Sequence, residues 1–256
     1  VRSTEDLLAA AIRFADSGDH GDDFSQTVAL LHERGGRDVL SAAFSLCREP
    51  ASARRKLGAL ILGQLGSRGR AFTDESAEDL LRLVRGDPDV EVVKDAVFAL
   101  GHLSHKIRVD ALASLAGSPD DETRHAVAFA LANIQAAEGV ETLLRLMNDP
   151  CLEARDWATT GVAGMVSQDG AHIRDALLAR CADTDAIVRA EALNGLALRA
   201  DRRAIPILIH EIEAGTEPAY RLEEAAKLIL ASTSDESTDV SAPNVRRLRK
   251  LLDQRG

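Results

Sequence analysis

Residues 87–103 read DPDVEVVKDAVFALGHL, and residues 118–134 read SPDDETRHAVAFALANI. In both, a small polar or acidic residue and a proline introduce a run with apolar side chains at helical spacing. Proline sits without penalty where a helix begins, because its φ is already helical and no N–H is needed there. An acidic or hydroxyl residue in front of it reads as the N-cap. The pattern therefore predicts a turn followed by a buried-face helix, once per repeat.

Working outward, the segments starting at Arg55, Val93, Arg124, Arg155, Arg189 and Arg221 align without gaps, with spacings of 38, 31, 31, 34 and 32 residues. Each carries an apolar residue seven positions after its start: Leu62, Leu100, Leu131, Val162, Leu196 and Leu228. Five positions before the start stand Pro50, Pro88, Pro119 and Pro150, with Thr184 in the fifth repeat. A second helical pattern precedes each turn, as in Leu80, Leu81 and Val84 or Ile205, Leu208 and Ile212. A period of this length is that of a helix-turn-helix repeat, in which neither helix buries its apolar face alone and neighbours must stack. The expected fold is all-α, an α-solenoid of about six helical hairpins. The expected domain layout is an N-terminal helical cap over 1–35, the repeat array over 36–231, a polar linker over 232–242 and a C-terminal capping helix over 243–256.

Composition agrees with close helix packing. Apolar residues make up 45% of the 256-residue chain but aromatics only 3%, so the core is Leu, Ala, Val and Ile. The net charge of −10 argues against phosphate-backbone binding as the main activity. Cys47, Cys151 and Cys181 have neither disulfide-framework nor zinc spacing. No run approaches a membrane span, and the expected location is cytoplasmic.

The two quoted segments resemble the HEAT-like repeats first recognised in phycobilin lyases, over roughly residues 36–232. That resemblance implies the solenoid, but its motif is made of cap and core residues and assigns no activity. It raises the alternative of a lyase- or hydroxylase-type HEAT-repeat enzyme or a cofactor-handling protein. Deoxyhypusine hydroxylase, built of such repeats, binds iron through His-Glu pairs one and two residues after the repeat's arginine. Here those positions hold Lys56-Leu57, Lys94-Asp95, His125-Ala126, Asp156-Trp157, Ala190-Glu191 and Leu222-Glu223. No repeat has the pair, and neither a metal, a cofactor nor a catalytic set is assigned. Alkylpurine DNA glycosylases of similar build need a basic, aromatic channel, against which the net charge and the single Trp157 weigh.

Two sets of residues remain. The recurring arginines Arg55, Arg124, Arg155, Arg189 and Arg221 are expected to pair with turn aspartates such as Asp89, Asp120 and Asp185, forming a ladder between repeats. If the second helices line a concave groove, the residues two, five and nine after each start face away from the core. In the middle repeats these are Asp95, Phe98 and His102; Ala126, Phe129 and Asn133; Trp157, Thr160 and Gly164. Aromatics where a solvated helix carries charge point to a binding stripe for a protein or peptide partner, with Phe98, Phe129 and Trp157 expected roughly 10 Å apart along the stack. Asp95, Phe98, His102, Phe129, Asn133, Trp157 and Thr160 are the candidate partner-binding residues, in a non-enzymatic interaction or scaffold module. Nucleic acid and membrane are not expected partners.

Overall fold

The computed structural model describes residues 2–66, 72–103, 109–232 and 243–253. Every regular element among them is helical: α1 (Thr4–Ser17), α2 (Asp22–Arg34), α3 (Arg37–Leu46), α4 (Ser52–Gly63), α5 (Thr73–Gly86), α6 (Val90–Leu103), α7 (Asp110–Leu115), α8 (Asp121–Ile134), α9 (Val140–Leu146), α10 (Leu152–Thr160), α11 (Ala171–Arg180), α12 (Ala186–Leu198), α13 (Ala204–Glu213), α14 (Ala219–Ser232) and α15 (Asn244–Asp253). None is long and apolar enough to cross a membrane. The linker expected over 232–242 lies outside the described residues, apart from Ser232, which ends α14.

The chain divides into two compact units, Val1–Ala136 and Ala137–Gly256. In the first, α4 packs on α6 and α6 on α8, while α3, α5 and α7 pair with the helices that follow them. In the second, α12 packs against α10 and α14, with α11 and α13 beside α12 and α14. Each unit is thus a stretch of α-solenoid, and the six aligned segments fall on α4, α6, α8, α10, α12 and α14. Leu62, Leu100, Leu131, Val162 and Leu196 are at most 1% exposed, whereas Leu228 is only half-buried. Helix α15 lays Leu248 and Leu251 against α13 and α14, but Leu252, which the sequence pattern places on the same face, is exposed.

The turns differ from the sequence expectation. Proline is not the first helical residue: α4, α8 and α10 have Ala51, Asp120 and Cys151 as N-caps, each directly after the proline. The residue before the proline is therefore two places outside the cap, and its carboxylate has another use. Asp87, Asp149 and Asp183 each accept the backbone N–H two residues on, at 3.0, 2.9 and 3.0 Å. These are Asx turns that pin the chain before the helix starts.

The arginine ladder exists, with different partners. Asp120 and Asp185 cap α8 and α12, and Asp89 accepts the Glu91 N–H, so none of the three pairs with a repeat arginine. Instead, four of the five arginines first grip their own turn: Arg55 Nη1 donates to the Glu49 carbonyl at 3.0 Å, Arg124 Nη1 to Ser118 at 2.9 Å, Arg155 Nη1 to Asp149 at 2.8 Å and Arg189 Nη1 to Asp183 at 2.9 Å. In Arg55, Arg155 and Arg189 the rest of the guanidinium reaches the next repeat. Arg55 is bidentate on Asp87 at 2.7 and 2.9 Å, Arg155 on Asp183 at 2.9 and 3.3 Å, and Arg189 on Glu211 at 3.2 and 3.3 Å. The carboxylates of Asp87 and Asp183 are only 3% exposed, so these pairs are held with little screening by water.

A further arginine closes a local defect. Residues Gly161–Met165 continue α10 as a π-helical turn, which leaves carbonyls without their usual α-helical donors. Arg199, at the end of α12, donates to the carbonyls of Val162 at 2.8 Å and Ala163 at 2.7 Å and to that of Gln168 at 3.1 Å.

Burial alone would raise the carboxyl pKa values of Asp87 and Asp183, but the arginine and backbone hydrogen bonds outweigh it, and both lie below the usual carboxylate value. A depressed folded pKa means that the stabilisation is complete above the unfolded value of roughly 4 and is lost as pH falls through the folded one. Urea midpoints measured from pH 7 to pH 2 should therefore fall below about pH 4, and Asp87→Asn should flatten that fall while lowering the midpoint at neutral pH. A midpoint that is level down to pH 2 would remove the clamps from the account of stability.

Candidate functional site

The second helices of the first unit approach closely because small residues meet where they cross. A Cβ on Gly63 of α4 would lie 2.9 Å from the Cα of Ala99 on α6, and one on Gly101 of α6 would lie 2.8 Å from the Cα of Ala130 on α8. Any side chain at either glycine would force the helices apart.

This short spacing decides how the aromatic stripe is built. Phe98 and Phe129 are half-buried, with ring centroids 5.5 Å apart rather than the expected helix spacing of roughly 10 Å. The His102 ring packs edge-on against Phe129 at 5.0 Å, and the His125 ring against Phe98 at 5.2 Å. His102 is exposed as a residue, yet desolvation of its ring holds its pKa below the usual histidine value. Asn133 is half-buried and donates to the Phe129 carbonyl at 2.8 Å. Ala126, at the register position that should face outward, is fully buried. Asp95 is half-buried, its carboxylate pushed up by burial against the opposing pull of Lys56 and Lys94.

In front of this stripe lies a cleft of about 330 Å³, walled by Phe24 and His20 on one side and by α4 and α6 on the other. Lys56 and Leu60 of α4 and Gln64 at its C-cap line it together with Asp95, Phe98 and His102 of α6. Leu60 and Gln64 stand five and nine places after Arg55, so the register rule, had it been carried to the first repeat, would have found them. His20 and Phe24 belong to the first hairpin, which lies outside the repeat, and no spacing in the sequence reports them. His32, on α2, is buried with its Nε2 3.0 Å from the Leu60 carbonyl, and desolvation lowers its pKa. It supports α4 from behind.

In the second unit the same register positions carry Trp157 and Thr160, both half-buried, on α10. Around them the face is polar. Glu191 of α12 is buried and ion-paired with Arg221 of α14, and Asp156 is half-buried with its pKa raised by burial and by the Asp185 charge. The buried Oδ1 atoms of Asp156 and Asn194 have no hydrogen-bond donor among the described residues. The thiols of Cys47 and Cys181 are buried and pushed up to about 12, which leaves them in the unreactive protonated form. Among the described residues no three His, Cys, Asp or Glu side chains converge as a metal-binding set.

Comparison with known proteins agrees with the solenoid architecture. Residues 123–149 match the model of the PBS lyase HEAT-like repeat. No curated protein sequence matches the chain significantly. Among solved structures, the YibA protein of Escherichia coli is similar at 24% identity and a TM-score of 0.72, over 99% of this chain and 93% of that one. An archaeal HEAT-like repeats protein from Thermococcus onnurineus NA1 is similar at 17% identity and a TM-score of 0.56, over 90% and 98% of the two chains. A designed armadillo repeat protein in complex with the peptide (KR)4 is similar at 15% identity and a TM-score of 0.50, over 74% and 98%. These likenesses are of fold.

Gly101→Ala should therefore separate α6 from α8 and spread the aromatic pair. The expected result is a loss of stability of the ~1–3 kcal/mol typical of overpacking, measured by urea unfolding. Alanine as the better helix former would instead stabilise the protein by up to ~1 kcal/mol if the crossing were not tight.

Proposed function

Starting from a chain built of HEAT-like repeats, we propose that it is a non-enzymatic interaction module that holds a protein or peptide partner along the groove lined by its second helices. The observation that carries this reading is the aromatic cluster of the first unit. Phe98 and His102, both packed against the Phe129 ring, are partly exposed and line a cleft with polar groups at its edge. An aromatic patch with a polar rim is the composition of a binding hot spot. The fold likeness to a designed repeat protein in complex with a peptide is consistent with it. Trp157 and Thr160 extend the proposal to the second unit, at the same register of its first repeat.

The test begins with polypeptides retained by the wild-type chain from its native cell. Phe98→Ala, Phe129→Ala and Trp157→Ala should each weaken a retained partner by about 2 kcal/mol, as hot-spot truncations do. Unfolding midpoints should move less, since half-exposed rings leave no closed cavity. Losses of ~3–5 kcal/mol in stability with binding per folded molecule intact would assign the rings to the core and end the proposal. Stoichiometric iron or a bound chromophore in the purified protein would overturn it in favour of a hydroxylase- or lyase-type activity.

A further inference from the structure

Within the cleft of the first unit, one pair of charged groups is unspent. Lys56 Nζ stands 3.8 Å from the Asp95 carboxylate, beyond hydrogen-bond range, and both side chains are one-third exposed. Neither group makes a hydrogen bond to any other described residue. This differs from the clamps, where every carboxylate is held by a guanidinium at bonding distance. An ammonium with three donors and a carboxylate with several lone pairs thus stand side by side, opposite in charge and free to bond a third party.

The pair also restricts what that third party is. An isolated anion would be drawn to Lys56 but would meet Asp95, and an isolated cation the reverse. A neutral group that offers one donor and one acceptor together satisfies both. In an extended chain a residue presents its N–H and its C=O on the same edge, as in the paired residues of an antiparallel ladder. Next to the pair, the cleft offers an apolar basin formed by Phe24, Leu60 and Phe98, with the close crossing of Gly63 and Ala99 among its lining. Its volume of about 330 Å³ falls within the range of ligand pockets. Burial pushes the Asp95 carboxyl up, the mark of a partly dry site in which a new hydrogen bond counts for more than in water.

We propose that this cleft binds an extended peptide segment, seating one large apolar side chain among Phe24, Leu60 and Phe98 while Asp95 accepts the N–H and Lys56 donates to the C=O of an adjoining residue. The inference rests on the partner-binding reading above and names its chemistry: a strand-like segment with an apolar anchor, read through its main chain.

The test selects random dodecapeptides displayed on phage against the full chain and measures the enriched peptides by fluorescence anisotropy. The expected consensus is a single large aliphatic or aromatic residue without a fixed charge pattern. Replacing by an ester the amide that carries the N–H of the residue adjoining the anchor, tried on either side of it, should on one side weaken binding to the wild type by about tenfold, the worth of a hydrogen bond to a charged group. The same replacement should matter less than about threefold in Asp95→Ala, whose donor-accepting carboxylate is gone. Melting curves of Asp95→Ala and Lys56→Ala should match the wild type, since neither residue holds the core. If amide and ester bind the wild type equally, or if Asp95→Ala and Lys56→Ala bind like the wild type while Phe98→Ala does not, main-chain reading falls and the groove stands. Enriched peptides that bind Phe98→Ala and Phe129→Ala undiminished would end both, as would a selection that enriches nothing. A consensus of basic residues alone would replace the neutral-segment inference with a cation site.

Discussion

The repeat arginine is the constraint from which the rest of the fold follows. One guanidinium must reach the carbonyl that ends its own turn and the carboxylate that opens the next, as Arg55 does with Glu49 and Asp87 and Arg155 with Asp149 and Asp183. A side chain of fixed length can do both only if successive turns stand at a fixed offset. The clamp therefore sets register more than it adds net stability. Breaking a buried pair leaves a charge stranded, whereas replacing both partners by apolar residues is often neutral. The exceptions follow the same logic. Ahead of Arg221 the position that holds Asp87, Asp149 or Asp183 elsewhere is Gly215, so Arg189 takes Glu211 from the last turn of α13 instead. Arg221, on the last of the six aligned helices, turns back to Glu191.

With the turns fixed, the separation of the second helices is decided by what lies at their crossings. Gly63 against Ala99, Gly101 against Ala130 and Gly195 against Ala163 put backbone on backbone. Close axes bring register-equivalent side chains into contact, so Phe98 and Phe129 form one surface instead of two separate points. The scarcity of aromatics and the wealth of alanine and glycine in the sequence are thus two sides of one arrangement. Small residues in the seams allow the few large rings to meet above them.

The parts legible in the sequence are those that recur. The apolar position seven places after each start, the proline register and the arginine were visible because six copies average out local accident, and five of the six apolar positions are fully buried. What a single chain of letters does not encode is which of several nearby aspartates an arginine takes. Asp87 and Asp89 are two residues apart and equally acidic; only the turn geometry sends the first toward Arg55 and the second toward the Glu91 N–H. The same limit applies to the cleft. Leu60 and Gln64 were available by register, but His20 and Phe24 come from a hairpin that shares no period with the repeats, and Ala126 shows that register alone overstates exposure. The π-helical turn was illegible for a similar reason, because the arginine that closes it, Arg199, lies 36 and 37 residues from the Ala163 and Val162 carbonyls it binds and outside its own repeat's clamp.

The half-burial of the aromatic pair reconciles two demands that the sequence leaves in conflict. A ring fully in the core contributes to stability and nothing to recognition, and a ring fully in solvent must be ordered before a partner gains from it. Phe98 and Phe129 are held on their inner edges by each other, by His125 and His102, and by the Gly101 crossing. Their rotamers are restricted before any partner arrives, so little side-chain entropy is left to lose on binding. The remaining apolar edge is still available to be covered. Rigid rings beside the unspent Lys56 and Asp95 give the first unit a surface prepared for association. In the second unit Glu191 and Arg221 have already spent their charges on each other.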